Sequence, residues 1–109
     1  MTVKELAAAL RLEILVSGNQ ENRISGGYTG DLLSWVMGRA RPGDALITVM
    51  GNVNAVAVAA LAEISCIILA ESSPLDAQAK QKAAERGIPV LRSEKNAYEL
   101  SVMLSGALS

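Results

Sequence analysis

A largely apolar segment, residues 45–63, lies in the middle of the chain. Residues Ala45–Met50 are apolar except for Thr48, a pattern that predicts a strand buried on both faces. The polar turn Gly51–Asn54 follows, and Asn54 is a suitable N-cap because its side-chain oxygen can accept a free backbone N–H. The next segment, Ala55–Ala62, is apolar around its whole circumference, which predicts a helix covered on more than one side. Together these segments form half of a parallel α/β unit.

Shorter segments of the same two kinds precede and follow this unit. Further strands are predicted at Leu12–Val16, Ile64–Ala70 and Ile88–Leu91, and further helices at Thr2–Leu10, Asp31–Met37, Pro74–Arg86 and from Asn96 onward. Thr2 and Asn96 each stand three residues before a glutamate, which is the capping-box pattern. Ser73 as N-cap with Pro74 marks another helix start, and Gly38 and Gly87 mark helix ends. Strands alternating with helices predict one α/β domain over residues 1–109, with a parallel sheet and helices on both faces.

Composition removes several classes of function. The chain of 109 residues has no histidine, which excludes a Ser-His-Asp triad, a histidine general base and histidine-ligated zinc. The single cysteine, Cys66, lies in an apolar run and is expected to be a buried, unbonded thiol. Ten Lys/Arg against eleven Asp/Glu, spread without blocks, give a net charge of −1 and argue against nucleic-acid or membrane-surface binding. No apolar run reaches the roughly 18–20 residues that span a bilayer, and Met1–Leu10 lacks a signal-peptide pattern, so we expect a cytosolic protein.

Small polar residues follow the predicted strands. These segments are Ser17–Asn19, Gly51–Asn54, Glu71-Ser72 and Arg92-Ser93. Because carboxyl ends of parallel strands meet at one sheet edge, beside helix N-termini with free N–H groups, we expect a small anionic ligand there. The candidate ligand-binding residues come from these turns and from the glycine-rich loop at residues 26–31: Gly26, Gly27, Thr29, Asp31, Asn52, Asn54 and Ser72.

Three of the candidates also have a simpler structural interpretation. Instead of binding a ligand, Asn54 could simply cap a helix and Asn52 could simply accommodate a left-handed turn. Asp31 could simply complement a helix dipole. The glycine-rich loop is neither G-x-x-x-x-G-K-[ST] nor G-x-G-x-x-G directly after a strand, so kinase or NTPase activity is not predicted. Asp31 and Glu71 are the only carboxylates beside these turns, which is a poor basis for a metal site. The pattern requires no cofactor.

Apolar side chains exceed what one small domain can cover. Trp35, Met37 and Val56 are predicted to lie at the interface of a homodimer, since a second copy would bury this surplus.

The order of these segments resembles the DRTGG domain family. The resemblance is carried by residues 26–37 (GGYTGDLLSWVM), by Pro42–Asp44, by Thr48–Met50 leading into Asn54, and by Gly87–Leu91. It extends from about Ile14 to Leu104. It implies a three-layer α/β/α fold with a mainly parallel sheet of four to five strands, like the N-terminal domain of HPr kinase/phosphorylase. The family is also found in phosphate acetyltransferases, in CBS-domain pyrophosphatases and as free-standing proteins, which implies a regulatory module that pairs with itself.

Two principal functional hypotheses remain from the sequence. The first is a non-catalytic, dimeric regulatory or ligand-sensing module that binds a small anionic metabolite or nucleotide at the carboxyl edge of the sheet. The alternative is a protein–protein interaction subunit that docks on a partner metabolic enzyme without a ligand. An enzyme of undetected type is the least favoured, because the chain has no histidine and no P-loop.

Overall fold

The computed structural model describes residues 1–109 and contains five helices and one five-stranded sheet. In chain order the elements are α1 (Val3–Leu10), β1 (Glu13–Val16), β2 (Gly26–Thr29), α2 (Leu33–Arg39), β3 (Asp44–Thr48), α3 (Val53–Leu61), β4 (Cys66–Leu69), α4 (Ala77–Arg86), β5 (Val90–Arg92) and α5 (Ala97–Leu108). The strands lie in the order β1-β5-β4-β3-β2. Helices cover both faces, so the predicted three-layer α/β/α fold with a mainly parallel sheet is confirmed.

The core alternates between the two faces along each central strand, as the period of two in a β-strand requires. In β3, Ile47 points toward α1 and α5, whereas Leu46 points toward α2, α3 and α4. Every residue of β3 and of β4 is buried, and most of them are apolar. The prediction of a strand apolar on both faces is therefore confirmed, and each face has its own apolar cluster.

The direction of β1 differs from the prediction. Strands β2 to β5 are parallel, but β1 is antiparallel to β5, and Glu13 lies opposite Arg92. Only Arg11 and Leu12 connect α1 to β1, and Arg11 reverses the chain in the left-handed conformation at φ 54°. Because α1 ends at the carboxyl edge of the parallel strands, β1 has to begin at that edge and run in the opposite direction.

The glycine-rich segment is a strand and not a loop. Gly26–Thr29 forms β2 and pairs with β3 at the edge of the sheet, with Gly27 opposite Ala45. A Cβ atom on Gly27 would lie 2.5 Å from Cδ2 of Leu104, so the glycine lets α5 pack directly against the backbone of β2. The sequence prediction missed this strand because three glycines in five residues are typical of turns.

Two of the predicted helix starts are confirmed in detail. The side chain of Thr2 accepts a hydrogen bond from the backbone N–H of Glu5, and the Glu5 carboxylate accepts one from Thr2. The backbone N–H of Thr2 is the group that lowers the pKa of Glu5 most, because its hydrogen bond favours the ionised carboxylate. Asn96 and Glu99 form the same reciprocal pair at the start of α5.

Other helix boundaries shift from their predicted positions. Helix α3 is capped by Asn52 and not by Asn54, and α4 begins after Asp76 and not after Ser73. The Ser73 hydroxyl donates to the carbonyl of Ala70, 2.6 Å away, which closes a turn before the helix begins. Gly38 lies inside α2 and does not end it. At the start of α4, a turn hydrogen bond therefore takes the place of the predicted cap.

None of the five helices combines the length and the apolar character needed to cross a membrane.

The turn after β3 provides a stability test that uses two glycines. A Cβ atom on Gly51 would overlap the carbonyl oxygen of Pro74, whereas one on Gly38 would meet no heavy atom within 4 Å. Gly51→Ala is therefore expected to lower the free energy of unfolding by about 2–3 kcal/mol, and Gly38→Ala, in a helix, to raise it by about 0.5–1 kcal/mol. Urea unfolding followed by circular dichroism measures both. Equal effects of the two substitutions would contradict the packing of this turn against the β4–α4 connection.

Candidate functional site

The predicted ligand-binding residues do not form one cluster. Gly26, Gly27 and Thr29 line a cavity of about 480 Å³ between β2 and α5. The Thr29 hydroxyl lies 2.8 Å from the Ser101 hydroxyl of α5. Gly26 pairs with Asp44, the first residue of β3, so the two glycines are near the amino end of the strands. They are therefore separated from the turn at Gly51–Asn54.

Asp31 links two loops at the carboxyl edge. One carboxylate oxygen accepts hydrogen bonds from the Thr48 hydroxyl at 2.8 Å and from the backbone N–H of Val49 at 2.9 Å. These bonds tie the segment after β2 to the end of β3. The geometry gives Asp31 a structural role in linking two loops, which differs from the helix-dipole role considered from the sequence.

Asn52 and Asn54 lie beside this link but line none of the cavities of the molecule. The side-chain oxygen of Asn52 accepts from the backbone N–H of Ala55 at 2.9 Å, which satisfies one of the free donors of α3. Asn54 is exposed in the first turn of α3. Their role in ligand binding stays a prediction, as it does for Asp31.

Ser72 lines the largest cavity, of about 800 Å³, at the carboxyl ends of β4 and β5. The cavity is open to solvent and contains more charged and polar than apolar side chains. Its lining residues are Ala9, Leu10, Arg11, Glu13, Ser72, Arg92, Ser93, Glu94, Lys95 and Met103. Of the seven predicted ligand-binding residues, only Ser72 belongs to it.

One face of this cavity is fixed by hydrogen bonds between two loops. The backbone N–H of Glu71 donates to the carbonyl of Lys95, and that of Ser72 donates to the carbonyl of Ser93, both at 2.9 Å. Glu71 and Ser72 are both left-handed, with φ of 56° and 53°. Two consecutive residues other than glycine in this region are uncommon, and here the bonds to the neighbouring loop hold them in place.

The charges in the cavity are unevenly paired. Arg92 forms a two-pronged ion pair with Glu13, and its third nitrogen donates to the Ser73 carbonyl at 3.4 Å. Arg11 and Lys95 have no acidic group within 4.0 Å. The cavity therefore presents two unpaired cations next to a paired one, which favours an anionic ligand.

The segment Ser17–Asn19 was expected at this edge, and that prediction is wrong. Because β1 is antiparallel, its carboxyl end lies at the opposite edge, where the Asn19 N–H donates to the Gly87 carbonyl at 2.9 Å. The amino end of β1 takes its place and brings Glu13 to the cavity.

Sequence reasoning missed Arg11, Glu13 and Lys95. Arg11 lies in the α1–β1 link and Glu13 follows it, and the two-residue length of that link was the signal that α1 and β1 meet at the carboxyl edge. Lys95 lies beyond the polar segment Arg92-Ser93 that the sequence pattern identified at the end of the predicted strand. The pattern therefore did not indicate it as a site residue.

Clustered metal-ligating side chains and a reactive thiol are two features that would indicate a metal or catalytic centre. No three His, Cys, Asp or Glu side chains lie close enough together to hold a metal ion. Cys66 is buried as expected, and burial in the apolar core raises the pKa of its thiol to about 12. A thiol with that pKa is protonated at neutral pH and is not a nucleophile.

Two of the three predicted interface residues are exposed. The side chains of Trp35 and Met37 on α2 are 52% and 41% exposed. Val56 is 1% exposed and packs in the core between α3 and the sheet, so its assignment to an interface is wrong. The error arose because α3 is apolar on all sides and the sequence could not show which side faces the sheet. The Arg39 guanidinium carbon lies 3.6 Å from the centre of the Trp35 ring and covers part of it.

The comparisons with known proteins agree with this fold. The model of a family described as the DRTGG domain matches residues 5–107. A crystal structure of the CBS and DRTGG domains from the regulatory region of Clostridium perfringens pyrophosphatase, in complex with the activator diadenosine tetraphosphate, is similar with a TM-score of 0.73. The similarity covers 94% of this chain and 45% of that chain, at 14% sequence identity. No curated protein matches the sequence.

Substitution of Asp31 is expected to destabilise the protein more than substitution of Asn52 or Asn54, because Asp31 accepts two hydrogen bonds. Asp31→Ala is expected to lower the free energy of unfolding by about 2 kcal/mol, because it leaves the Thr48 and Val49 donors without their acceptor. Asn52→Ala, which removes a helix cap, is expected to cost about 1 kcal/mol. Asn54→Ala is the control and should change stability by less than about 0.5 kcal/mol. Urea unfolding measures all three, and an Asp31 variant as stable as the Asn54 variant would contradict the structural role.

Proposed function

Because the chain belongs to the DRTGG domain family, we propose that it is a non-catalytic regulatory module that senses a small anionic metabolite or nucleotide and acts as a homodimer. The observation that carries the ligand-sensing part is the large cavity at the carboxyl ends of β4 and β5, with its unpaired Arg11 and Lys95. This is the sheet edge at which open α/β folds commonly bind ligands.

The similar regulatory region supports the choice of ligand class. Its structure contains a nucleotide activator, diadenosine tetraphosphate, which carries several negative charges. The cationic side chains of the cavity suit a ligand with the same kind of charge. The similarity covers less than half of that chain. We therefore take from it only the class of ligand and not the mode of nucleotide binding.

The chemistry of the chain supports a binding role over a catalytic one. Histidine is absent from the sequence, and the thiol of Cys66 is buried with a raised pKa. A cytosolic location is part of the proposal, because a lone free thiol is typical of a reducing compartment.

Exposed apolar side chains around α2 support self-association. Leu32, Trp35 and Met37 are at least two-fifths exposed, and Val49 and Val53 follow β3 at the same edge of the sheet as Leu32. The link from Asp31 to Val49 holds the two segments together. Burial of such a patch against a second copy would remove apolar area from water.

A thermal-shift screen tests the ligand-sensing proposal. A mononucleotide, a dinucleoside polyphosphate or an acyl phosphate present at ten times its Kd should stabilise the protein by about 1.4 kcal/mol and raise Tm by about 5–10 °C. Adenosine, which has the base but no phosphate, is the matched control and should not raise Tm. The absence of any shift across these anions at millimolar concentration would contradict ligand sensing and favour the interaction subunit.

Analytical ultracentrifugation tests the homodimer. The protein is expected to sediment as a dimer, and Trp35→Glu should raise the dimer Kd about thirtyfold or more, since a buried tryptophan is a typical interface anchor. Tyr98→Glu is the control, because Tyr98 is exposed on α5, on the other face of the sheet. A wild-type monomer, or equal effects of the two variants, would contradict dimerisation through α2.

A further inference from the structure

Arg92 holds an internal anion at the wall of the large cavity. Its Nε and Nη2 donate to the two carboxylate oxygens of Glu13, at 3.0 Å and 3.3 Å. The planar guanidinium fork fits two oxygens of a phosphate as well as it fits those of a carboxylate. Glu13 therefore occupies a position in which a phosphate group can bind.

The ion pair between Arg92 and Glu13 is accessible to exchange. The Glu13 side chain is 57% exposed and that of Arg92 is 27% exposed. Such solvent-exposed pairs contribute little to stability, so a stronger anion can replace the carboxylate at low cost. The remaining bond from Arg92 Nη1 to the Ser73 carbonyl keeps the guanidinium anchored while its partner changes.

The other cavity charges favour a compact, doubly charged group. Arg11 and Lys95 line the same cavity without acidic partners. Once Glu13 moves away, a phosphate meets three cations, whereas Glu94 is the single carboxylate left in the lining. A dianion gains more from this arrangement than a monoanionic carboxylate does.

We propose that the cavity binds a phosphate group of a phosphorylated ligand between Arg11, Arg92 and Lys95, and that this phosphate displaces the Glu13 carboxylate from Arg92. The proposal rests on the ligand-sensing function above and names its binding group. Glu13 is the first residue of β1, an edge strand, and lies opposite Arg92 in the sheet. A phosphate that replaces Glu13 at Arg92 therefore removes a side-chain contact between β1 and β5.

Titration with inorganic phosphate and pyrophosphate, followed by ¹⁵N NMR, tests the site. We expect the backbone signals of Ser72, Ser93 and Lys95 to shift, and the Arg92 Nε–H signal to shift as its partner changes. Arg11→Gln and Lys95→Gln should each weaken pyrophosphate binding about tenfold. Lys80→Gln is the matched control, because Lys80 is exposed on α4 and lines no cavity.

Glu13→Gln distinguishes displacement from a purely structural ion pair. Removal of the competing charge should strengthen pyrophosphate binding about threefold, whereas a structural role predicts unchanged or weaker binding. The Arg92 Nε–H signal of the wild type gives the same information if this variant does not fold. Unchanged binding in Glu13→Gln, or an unmoved Arg92 signal, would overturn displacement, and wild-type affinity in Arg11→Gln and Lys95→Gln would overturn the site.

The failure of this proposal can be told from the failure of ligand sensing. Signal shifts from a nucleotide at the cavity between β2 and α5, or at the α3 N-terminus, would overturn the phosphate site and leave the sensing function in place. No shift from nucleotides, phosphate or pyrophosphate anywhere in the chain would overturn both.

Discussion

Burial of the central strands on both faces is the constraint on which the rest of this fold depends. Strands β3 and β4 have no exposed residue, so helices have to cover both sides of the sheet. Parallel pairing of β2 to β5 then places every helix N-terminus that follows a parallel strand at one edge. The turns after β2 and β3 are hydrogen-bonded to each other through Asp31, whereas the turns after β4 and β5 line a cavity.

The two edge strands, β1 and β2, differ in direction and in how a helix packs against them. At one edge, β2 uses Gly27 to let α5 approach the backbone closely. At the other edge, the short link after α1 makes β1 antiparallel and brings Glu13 beside Arg92. The ion pair lines the cavity on the side of the edge strand, where a change of partner at Arg92 removes a side-chain contact between β1 and β5. Such a change is a physical means by which ligand binding can reach the edge strand.

Much of the fold could be predicted from the sequence because it depends on local pattern. The caps at Thr2 and Asn96, the apolar central strands and the burial of Cys66 follow from neighbouring residues alone. The candidate site was predicted less well. The largest cavity lies at the predicted edge of the sheet, but only Ser72 of the seven predicted ligand-binding residues lines it. Most of the others lie in segments rich in Gly and Asn, which favour turns, and this preference does not distinguish a cap or a strand from a ligand contact.

The sequence by itself determined the α/β class, the family and the absence of histidine chemistry, since these depend on residue types and their spacing. Only the tertiary structure decided the direction of β1, the strand at Gly26–Thr29 and the meeting of Arg92 with Glu13. Those two residues are 79 positions apart, and no local pattern relates them. The physical reason is that strand direction and pairing are determined by which surfaces become buried together, and that is a property of the whole chain.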